Sequence, residues 1–481
     1  MFPSLEFSPY LFVAYVVWLL VISGGLILQR RSPVATLGWL FALLALPYIG
    51  ILVWILFGPR RVARRRLHFA IIRSRVERAT IDFRKAAFST DIGEEMRGRF
   101  RQLITLAGRL RQPPPAHAEA VELYFDGDSC YAAIEAAIAG ARHHVHIEVY
   151  IWEPGAASDR ILDRLCERAR NKVAVRVLVD DVGSGNATER YFAPLIAAGG
   201  EVAWFNRIRF SHVRPTIANF RTHRKIVVCD GTVGFTGGMN FSSVHSTLSA
   251  GDASWRDTHA KLVGAPVAAL QRVFLEDWFF SGRQCAVVAA FFPETRPLVD
   301  GPIIQILASG PDTADYSIQR FMFSAITTAR ESIRLTTAYF VPDEATLEAL
   351  KAAALRGVDV QLLVPRKGDS KLVTAAARSY YDELTITGIR VYEYGPAMLH
   401  AKTLAIDDAL ALVGTANTDN CSFRLNFEVV AAIFDRGTAE RLLAQFDVDL
   451  LSAKRYRPMY DRGRLRPRLT AGIARLFSPL L

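Results

Sequence analysis

The chain has 481 residues, 51% of them hydrophobic, with a mean hydropathy of +0.17 and a formal net charge of +11. That length exceeds one ordinary domain and points to two or three, and hydrophobic content this high at 22% charged residues argues against disorder. The five cysteines (Cys130, Cys166, Cys229, Cys285, Cys421) are odd in number, far apart and form no C-x-x-C pair, which speaks against a disulfide framework or a zinc knuckle and fits reduced thiols in a cytoplasmic body.

Twenty residues without a charge run from 9 to 28, and twenty-eight more from 32 to 59. An α-helix needs about 20 apolar residues to cross a hydrocarbon core of roughly 30 Å. A secretory signal would offer a basic start and a small-residue cleavage site, whereas residues 1–8 hold no Lys or Arg and a second apolar run follows at once. The pattern predicts two transmembrane helices joined by a tight turn at 29–33, with Pro47 bending the second and a re-entrant hairpin as the alternative. Arg60, Arg61, Arg64, Arg65 and Arg66 follow the second run, against only Arg30 and Arg31 in the turn, so the positive-inside rule places both termini in the cytoplasm.

Charge is distributed unevenly along the chain. Residues 60–112 carry fifteen basic and five acidic side chains, a basic helical stretch suited to anionic head groups. The tail from Ala453 carries Lys454 and seven arginines against Asp461. The stretch between, 113–452, is left with a net of −7. A basic pI invites a nucleic-acid reading. Here the globular body is acidic and the basicity lies at its flanks, which argues against nucleic acid as a partner.

Pro113, Pro114 and Pro115 form a stiff break and a candidate linker. Beyond it the pattern becomes α/β: a helix near 129–142, a β-rich segment at 144–152, a helix from about 158 to 170 and a strand at 173–179. The order repeats as a helix near 317–329, a strand at 332–340, a helix over 344–355 and a strand at 358–364. Two βαβ-type halves of similar length predict a duplication, with sheets covered by helices.

Each half carries the same constellation. The first contains His223, Lys225 and Asp230, then Gly237, Gly238 and Asn240; the second contains His400, Lys402 and Asp407, then Gly414, Thr415 and Asn417. Both read H-x-K-x4-D-x6-G-[GT]-x-N. With 10 His, 9 Lys and 26 Asp in the chain, chance would supply only about 0.01 matches to H-x-K-x4-D. In a strand, residues i and i+2 project to one face, so each His points with its Lys. An imidazole can serve as nucleophile or general acid, and a neighbouring lysine can hold a phosphate oxygen. Two such strands would offer one histidine on each side of a phosphorus.

At these residues the sequence resembles the phospholipase D superfamily, through its two HKD motifs. The likeness extends over nearly the whole chain to the bacterial cardiolipin synthases, in Leu46-Pro47-Tyr48-Ile49-Gly50, Trp255-Arg256-Asp257, Ser309-Gly310-Pro311-Asp312, Tyr339-Phe340-Val341-Pro342, the run from Ser422 through Asn426 to Glu428, and the ending from Arg475 to Leu481. The resemblance implies two tandem phospholipase D-type α/β sandwich domains preceded by two transmembrane helices. The corresponding division is 1–59 (two-helix membrane anchor), 60–115 (basic juxtamembrane helical linker), 116–296 (first half) and 297–481 (second half with a basic tail).

It also implies a transphosphatidylation. One histidine attacks phosphatidylglycerol, forming a phosphatidyl-histidine and releasing glycerol, and a second phosphatidylglycerol takes the phosphatidyl unit to give cardiolipin. By this analogy His223 is the nucleophile and His400 the acid and later base. Lys225, Lys402, Asn240 and Asn417 bind the nonbridging oxygens. Asp257 and Glu428, at the positions where the superfamily keeps an acidic residue past each motif, orient the rings. Asp230 and Asp407 complete the motifs and are better suited to holding local structure than to chemistry. No metal and no cofactor is implied. The expected partners are membrane phospholipids (phosphatidylglycerol, with phosphatidylethanolamine as a further acceptor), and the expected location is the bacterial inner membrane, multi-pass, with a cytoplasmic catalytic body.

The sequence departs from the family at Thr222 (usually Asn or Asp), Ala338 (usually Pro) and Cys421 (usually Arg). His143, His144 and His146 lie along one strand-like segment with Glu148 as the sole acidic neighbour, and read as structural. His259 follows the Trp-Arg-Asp motif and is a candidate for lining the site. Competing readings are a hydrolytic phospholipase D or a phosphatidylserine-synthase-like transferase using another acceptor, a nuclease, and a non-catalytic membrane scaffold.

Overall fold

The computed structural model describes residues 9–28, 36–37, 40–41, 60–87, 94–207, 220–294, 298, 300–312, 315–395, 397–458 and 465–478. The chain divides into two compact units, 1–64 with 209–217, and 65–208 with 218–481. In the first, helix α1 (Pro9–Ile27) buries Ile22 and Leu26 with Trp18 and Leu40 packed beside them. Among the described residues no helix is long and apolar enough to cross a membrane. The second expected span lies outside the described residues apart from 36–37 and 40–41, and the turn at 29–33 lies wholly outside them.

Helix α2 (Arg60–Ala87) leads into the second unit, followed by α3 (Glu94–Arg109). These two are packed elements of the body. Phe69, Ile72 and Val76 of α2 are buried with Phe205, Phe274 and Trp278, and Phe100, Leu103 and Ala107 of α3 with Leu307 and Phe321. Each large side chain so buried stabilises the fold by roughly 1.5–3 kcal/mol. The proline run that follows, expected as a linker, is also packed. Pro113 and Pro115 are buried, the Pro113 carbonyl accepts from Gln305 Nε2 at 2.8 Å, and Gln112 Oε1 accepts from the Ala308 N–H at 2.8 Å.

The first half then runs β1 (Ala116–Tyr124), α4 (Gly127–Gly140), β2 (His144–Val149), α5 (Ala156–Arg170), β3 (Ala174–Asp180), β4 (Glu201–Phe205), β5 (Ile226–Cys229), β6 (Val233–Gly237), β7 (His259–Gly264) and α6 (Val267–Phe280). The second runs β8 (Ile303–Ser309), α7 (Ser317–Thr328), β9 (Ser332–Thr336), β10 (Phe340–Val341), α8 (Glu344–Leu355), β11 (Asp359–Pro365), α9 (Lys371–Ile386), β12 (Arg390–Tyr394), β13 (Thr403–Ile406), β14 (Leu410–Gly414), β15 (Thr418–Asp419), α10 (Asn420–Arg424), β16 (Glu428–Phe434), α11 (Arg436–Leu450), β17 (Ala453–Arg455) and α12 (Leu465–Arg475). Helix α4 begins two residues before the expected start because Asp126 caps it, its carboxylate accepting from the Ser129 N–H at 2.8 Å.

Fifteen strands form one sheet in the order β17-β12-β11-β9-β13-β14-β16-β8-β1-β7-β6-β5-β2-β3-β4. From the central antiparallel pair β8 and β1, where Ala116 faces Ile304, the two halves match strand for strand outward. β8, β16, β14, β13, β9, β11 and β12 answer β1, β7, β6, β5, β2, β3 and β4. The duplicated α/β architecture expected from the sequence is therefore present, with one continuous sheet through both halves. The middle strands β5 (IVVC) and β13 (TLAI) are buried along their whole length, which fits strands covered on both faces.

Candidate active site

Both H-x-K segments lie at the inner ends of β5 and β13, in extended chain just before each strand starts at Ile226 and Thr403. They are held there by the opposite half. The His223 N–H donates to the Phe427 carbonyl at 2.9 Å, and the His400 N–H to the Arg256 carbonyl at 2.7 Å. Each lysine folds back on the backbone of its histidine. Lys225 Nζ donates back to the His223 carbonyl at 2.7 Å, and Lys402 Nζ donates to the His400 carbonyl.

The carboxylates beside the two histidines are exchanged between halves. His400 Nδ1 lies 2.6 Å from Asp257 Oδ2, and His223 Nδ1 lies 3.3 Å from Glu428 Oε1. Asp257 and Glu428 are fully buried. They reach their rings from β7 and β16, whose entry segments pair with the H-x-K segments across the seam, as the Thr222–Phe427 and Arg256–Leu399 bridges show. The one difference between the two glycine signatures, Gly238 against Thr415, has a local reason. A Cβ at Gly238 would stand 2.0 Å from Asp257 Oδ1, whereas the longer Glu428 leaves room for Thr415, whose hydroxyl donates to Glu428 Oε2.

Lys225 and Lys402 are nearly buried, and removal from water pushes their ammonium pKa values down to about 7 and about 8 against the pull of the nearby carboxylates. Burial, then the charges of Lys402, Lys225 and His223, hold His400 well below the usual imidazole range. Asn240 and Asn417 are buried at matching positions. Asn240 Oδ1 accepts from the Ile151 N–H at 3.1 Å, while the buried Asn417 Oδ1 has no hydrogen-bond partner.

Asp230 and Asp407 are not brought to this cluster. Each sits at the far end of its strand, five residues past the lysine and so about 16 Å along extended chain. Asp230 accepts from the N–H groups of Arg142, His143 and His144, and Asp407 from those of Arg330, Glu331 and Ser332. Partial burial would raise the Asp230 carboxyl, but the three N–H donors outweigh it and hold the pKa below its ordinary value. Both residues have positive φ, 53° and 52°, in the turn that launches the hairpin.

The two sides of the site differ in what flanks each ring. Tyr150 lies 4.2 Å from the His223 ring, centroid to centroid, and Lys225 Nζ stands 5.5 Å from the Tyr150 centroid. Strand register places Ala338 at the equivalent position in the second half. Beside His400 stand Trp255 at 5.1 Å and His245 at 5.8 Å, and Asn426 and Ser422 occupy the equivalent positions. Tyr150 and His245 were not legible in the sequence; only alignment of the two halves by register would have marked them.

Three comparisons with known proteins bear on this geometry. The family profile described as "Cardiolipin synthase, PLD-like domain" matches residues 134–278 and 322–450, and "Phospholipase_D-nuclease N-terminal" matches residues 12–59. A cardiolipin synthase of Alkalihalophilus pseudofirmus is 36% identical over 475 residues, covering 96% of this chain and 92% of that one. Cardiolipin synthase 1 of Bacillus anthracis is 32% identical over 486 residues, covering 98% and 95%. The chain belongs to the phospholipase D-like cardiolipin synthase family. It is thus a phosphatidyltransferase of the phospholipase D type. The crystal structure of phosphatidylserine synthase from Haemophilus influenzae shares the fold, with a TM-score of 0.60 at 15% identity over 79% of this chain and 98% of that one.

The departures from the cardiolipin synthase family pattern have definite places. The Thr222 hydroxyl donates to Glu148 and its N–H to Asp180 Oδ2 at 3.1 Å, so it serves a buried network behind His223. Cys421 is half-buried on α10, and burial pushes its thiol up to about 12. All five cysteines are free. His144 and His146 both contact Gln271 Oε1 at 3.0 Å inside the core, and burial keeps both imidazoles below their ordinary pKa, as a structural role requires. His259 is buried behind the site, its Nδ1 accepting from the Met239 N–H at 3.3 Å.

His245, Asp257 and His400 are a group whose ligand atoms lie within 4.8 Å of one another, close enough to suit a metal ion. Their protons argue for a different use. The Asn240 N–H donates to His245 Nε2 at 3.3 Å, which leaves the ring proton on Nδ1, facing Asp257 Oδ2 at 3.9 Å. Burial pushes the His245 imidazole down to about 3, so the ring is neutral. The Asp257 carboxylate is thus hydrogen-bonded to the His400 ring, while His245 Nδ1 faces it at 3.9 Å without a hydrogen bond.

Proposed function

We propose that this chain joins two phosphatidylglycerol molecules into cardiolipin and glycerol by double displacement on His223. The observation that supports this reading is the pair of histidines, each with the other half's carboxylate at its Nδ1 and its own buried lysine beside it.

In the first step His223 Nε2 attacks the phosphodiester phosphorus. The N–P bond forms, the P–O bond to the glycerol head group breaks, and His400 gives its Nε2 proton to the departing alkoxide. In the second step the head-group hydroxyl of another phosphatidylglycerol loses its proton to His400. Its oxygen attacks phosphorus, and the N–P bond breaks to restore His223. Glu428 and Asp257 fix each ring with its proton on Nδ1, so that Nε2 faces the phosphorus. Lys225 and Lys402, with the amide groups of Asn240 and Asn417, meet the nonbridging oxygens in a site with little water, where charge stabilisation is strongest. The negative charge of the bound phosphodiester opposes the lysine charges that add to burial in depressing His400, and so favours the proton that the first step needs.

His223 is the more accessible of the two rings (side chain 19% exposed against 10% for His400) and keeps the looser carboxylate contact, which suits the nucleophile. The two uncharged runs at 9–28 and 32–59 would anchor the enzyme in the inner membrane, with the arginines from Arg60 onward keeping the catalytic body on the cytoplasmic side. The test is to reconstitute the pure protein in phosphatidylglycerol liposomes and follow the lipids by mass spectrometry. Cardiolipin with one glycerol released per molecule is expected. Phosphatidic acid without cardiolipin would replace this reading with a hydrolase, and repetition with phosphatidylethanolamine identifies any second acceptor.

A further inference from the structure

The C-terminal helix α12 carries two faces. Ala471 and Ala474 are buried on its inner side, where Ala474 joins the core cluster that holds Tyr380 and Tyr381 of α9. Arg475 lies over the Tyr380 ring at 4.2 Å and pairs with Glu383 at 2.8 Å. On the outer side Leu469, Ile473, Leu476 and Phe477 are 55%, 59%, 78% and 45% exposed. The spacing i, i+4, i+7, i+8 gathers these four into one stripe about 100° wide, the width of a face built for burial. Among the described residues nothing covers that stripe.

The surrounding charge identifies the partner. From Ala453 to the end the chain carries Lys454 and seven arginines against Asp461. An apolar stripe on an arginine-rich helix is the pattern of a segment lying in the plane of a membrane interface, with its apolar side among acyl chains and its cations at anionic head groups. Even with Arg475 paired to Glu383, the tail keeps a positive excess, which an anionic lipid, the class of the substrate proposed above, would meet.

The helix is also fastened to the catalytic centre. Ser478, just past the stripe, receives a hydrogen bond from Asn420 Nδ2 on its carbonyl at 3.1 Å and from the Tyr380 hydroxyl on its Oγ at 2.9 Å. Asn420 opens α10, three residues after Asn417. The stripe thus lies on an element tied directly to the loop that carries a phosphate-binding side chain.

We propose that α12 and the turn after it form a second membrane contact, separate from the N-terminal segments, that seats the catalytic body on an anionic bilayer and presents the Asn417 side of the site to lipid. The proposal rests on the phosphatidylglycerol reading, and its test separates the two. The full chain and its Leu469→Gln, Ile473→Gln, Phe477→Gln triple variant are assayed on phosphatidylglycerol vesicles and on a short-chain phosphatidylglycerol held below its micelle concentration. Expected is a fall in kcat/KM on vesicles of about fivefold or more, with the monomeric substrate changed by less than about twofold. Unchanged vesicle activity overturns the proposal. So does an equal loss on both substrates, which a face packed on a second copy of the chain would give. A nitroxide on Ile473→Cys in proteoliposomes, read against the labelled parent chain, should be relaxed by oxygen more than by a water-soluble nickel complex; the reverse order also overturns it. Transfer by the parent chain on the monomeric substrate reports on the phosphatidylglycerol reading independently.

Discussion

Asp257 Oδ2 stands 2.6 Å from Nδ1 of His400, a residue of the opposite half, while its own half's His223 is served by Glu428 from across the seam. Neither half therefore holds a complete His–carboxylate pair. Asp257→Asn replaces an acceptor by an amide that can stabilise the wrong tautomer, and should lower kcat by roughly 10²- to 10⁴-fold. The loss should fall on the acid step. With a phosphatidyl-p-nitrophenol substrate, whose leaving group needs no proton, Asp257→Asn and His400→Ala should still release about one equivalent of p-nitrophenol in a burst. Mass spectrometry should then find the phosphatidyl adduct on the His223 peptide. An adduct on the His400 peptide would reverse the two roles.

Gly238→Ala tests the same carboxylate from its backbone side. The added Cβ would lie 2.0 Å from Asp257 Oδ1, and Asp257 cannot yield without leaving His400 or the Thr258 N–H it accepts at 2.7 Å. Activity should fall by about 10- to 100-fold, with a stability loss of about 1–3 kcal/mol from the overpacking. Thr415→Gly in the second half adds no clash and removes only the hydroxyl that donates to Glu428, so its loss should be clearly smaller. Equal losses in the two variants would refute the packing argument.

The buried lysines make activity and stability respond to pH in opposite directions. With folded-state pKa values near 7 and 8, Lys225 and Lys402 lose their charge in the free enzyme as pH rises through that range. The kcat/KM for phosphatidylglycerol should therefore decline above about pH 7–8. For stability, the unfolded lysines keep their protons up to about pH 10.4. Between about pH 7 and 10 the unfolded state thus binds more protons, and stability rises with pH across that window. Lys225→Met should abolish turnover while raising the melting temperature at pH 6, where the wild-type ammonium is charged and buried. A lower melting temperature at pH 6 would show that the ammonium is net stabilising.

How far these features could be read beforehand depended on the range of the signal. The repeated H-x-K-x4-D spacing and the alternation of helix and strand are local, and they led to the duplicated α/β halves and to His223, Lys225, His400 and Lys402 in one cluster. Asp230 and Asp407 lie within the same motif, yet the strand carries them about 16 Å away, because spacing in a strand is distance. The exchange of Asp257 and Glu428 was not legible, since it depends on β8 and β1 closing one sheet across both halves. Nor was the packing of Gln112 and the proline run after it, since their partners Ala308 and Gln305 lie nearly two hundred residues further on.

Metal removal gives a direct check on how His245 is used. The Asn240 N–H donates to His245 Nε2, which directs the ring proton to Nδ1, on the Asp257 side. Dialysis against EDTA should leave the transfer rate unchanged within about twofold. A loss restored by added zinc would assign the group to a metal.

Arg224, the middle residue of the first H-x-K, ties the halves together. It donates to Asp277 of α6, to the Glu428 carbonyl at 3.2 Å and to the Ser309 carbonyl at 3.1 Å; the equivalent residue is Ala401. Asp277 and Glu148 share this buried region. Burial pushes the Asp277 carboxyl up to about 6 and Glu148 well above its ordinary range, even with the guanidinium present. Arg224→Met removes the cation and leaves two carboxyls in the core, which should cost about 3–5 kcal/mol of stability at neutral pH. The sign with pH follows from the raised values. Groups protonated more readily in the folded than in the unfolded state contribute fully below the unfolded pKa near 4, and that contribution is lost as pH rises through the folded value. At pH 5 both carboxyls of the variant hold their protons, and at pH 8 at least one must ionise without a partner. The melting-temperature deficit of Arg224→Met against the wild type should therefore be larger at pH 8 than at pH 5, and an equal or smaller deficit at pH 8 would mean that the guanidinium acts through packing rather than charge.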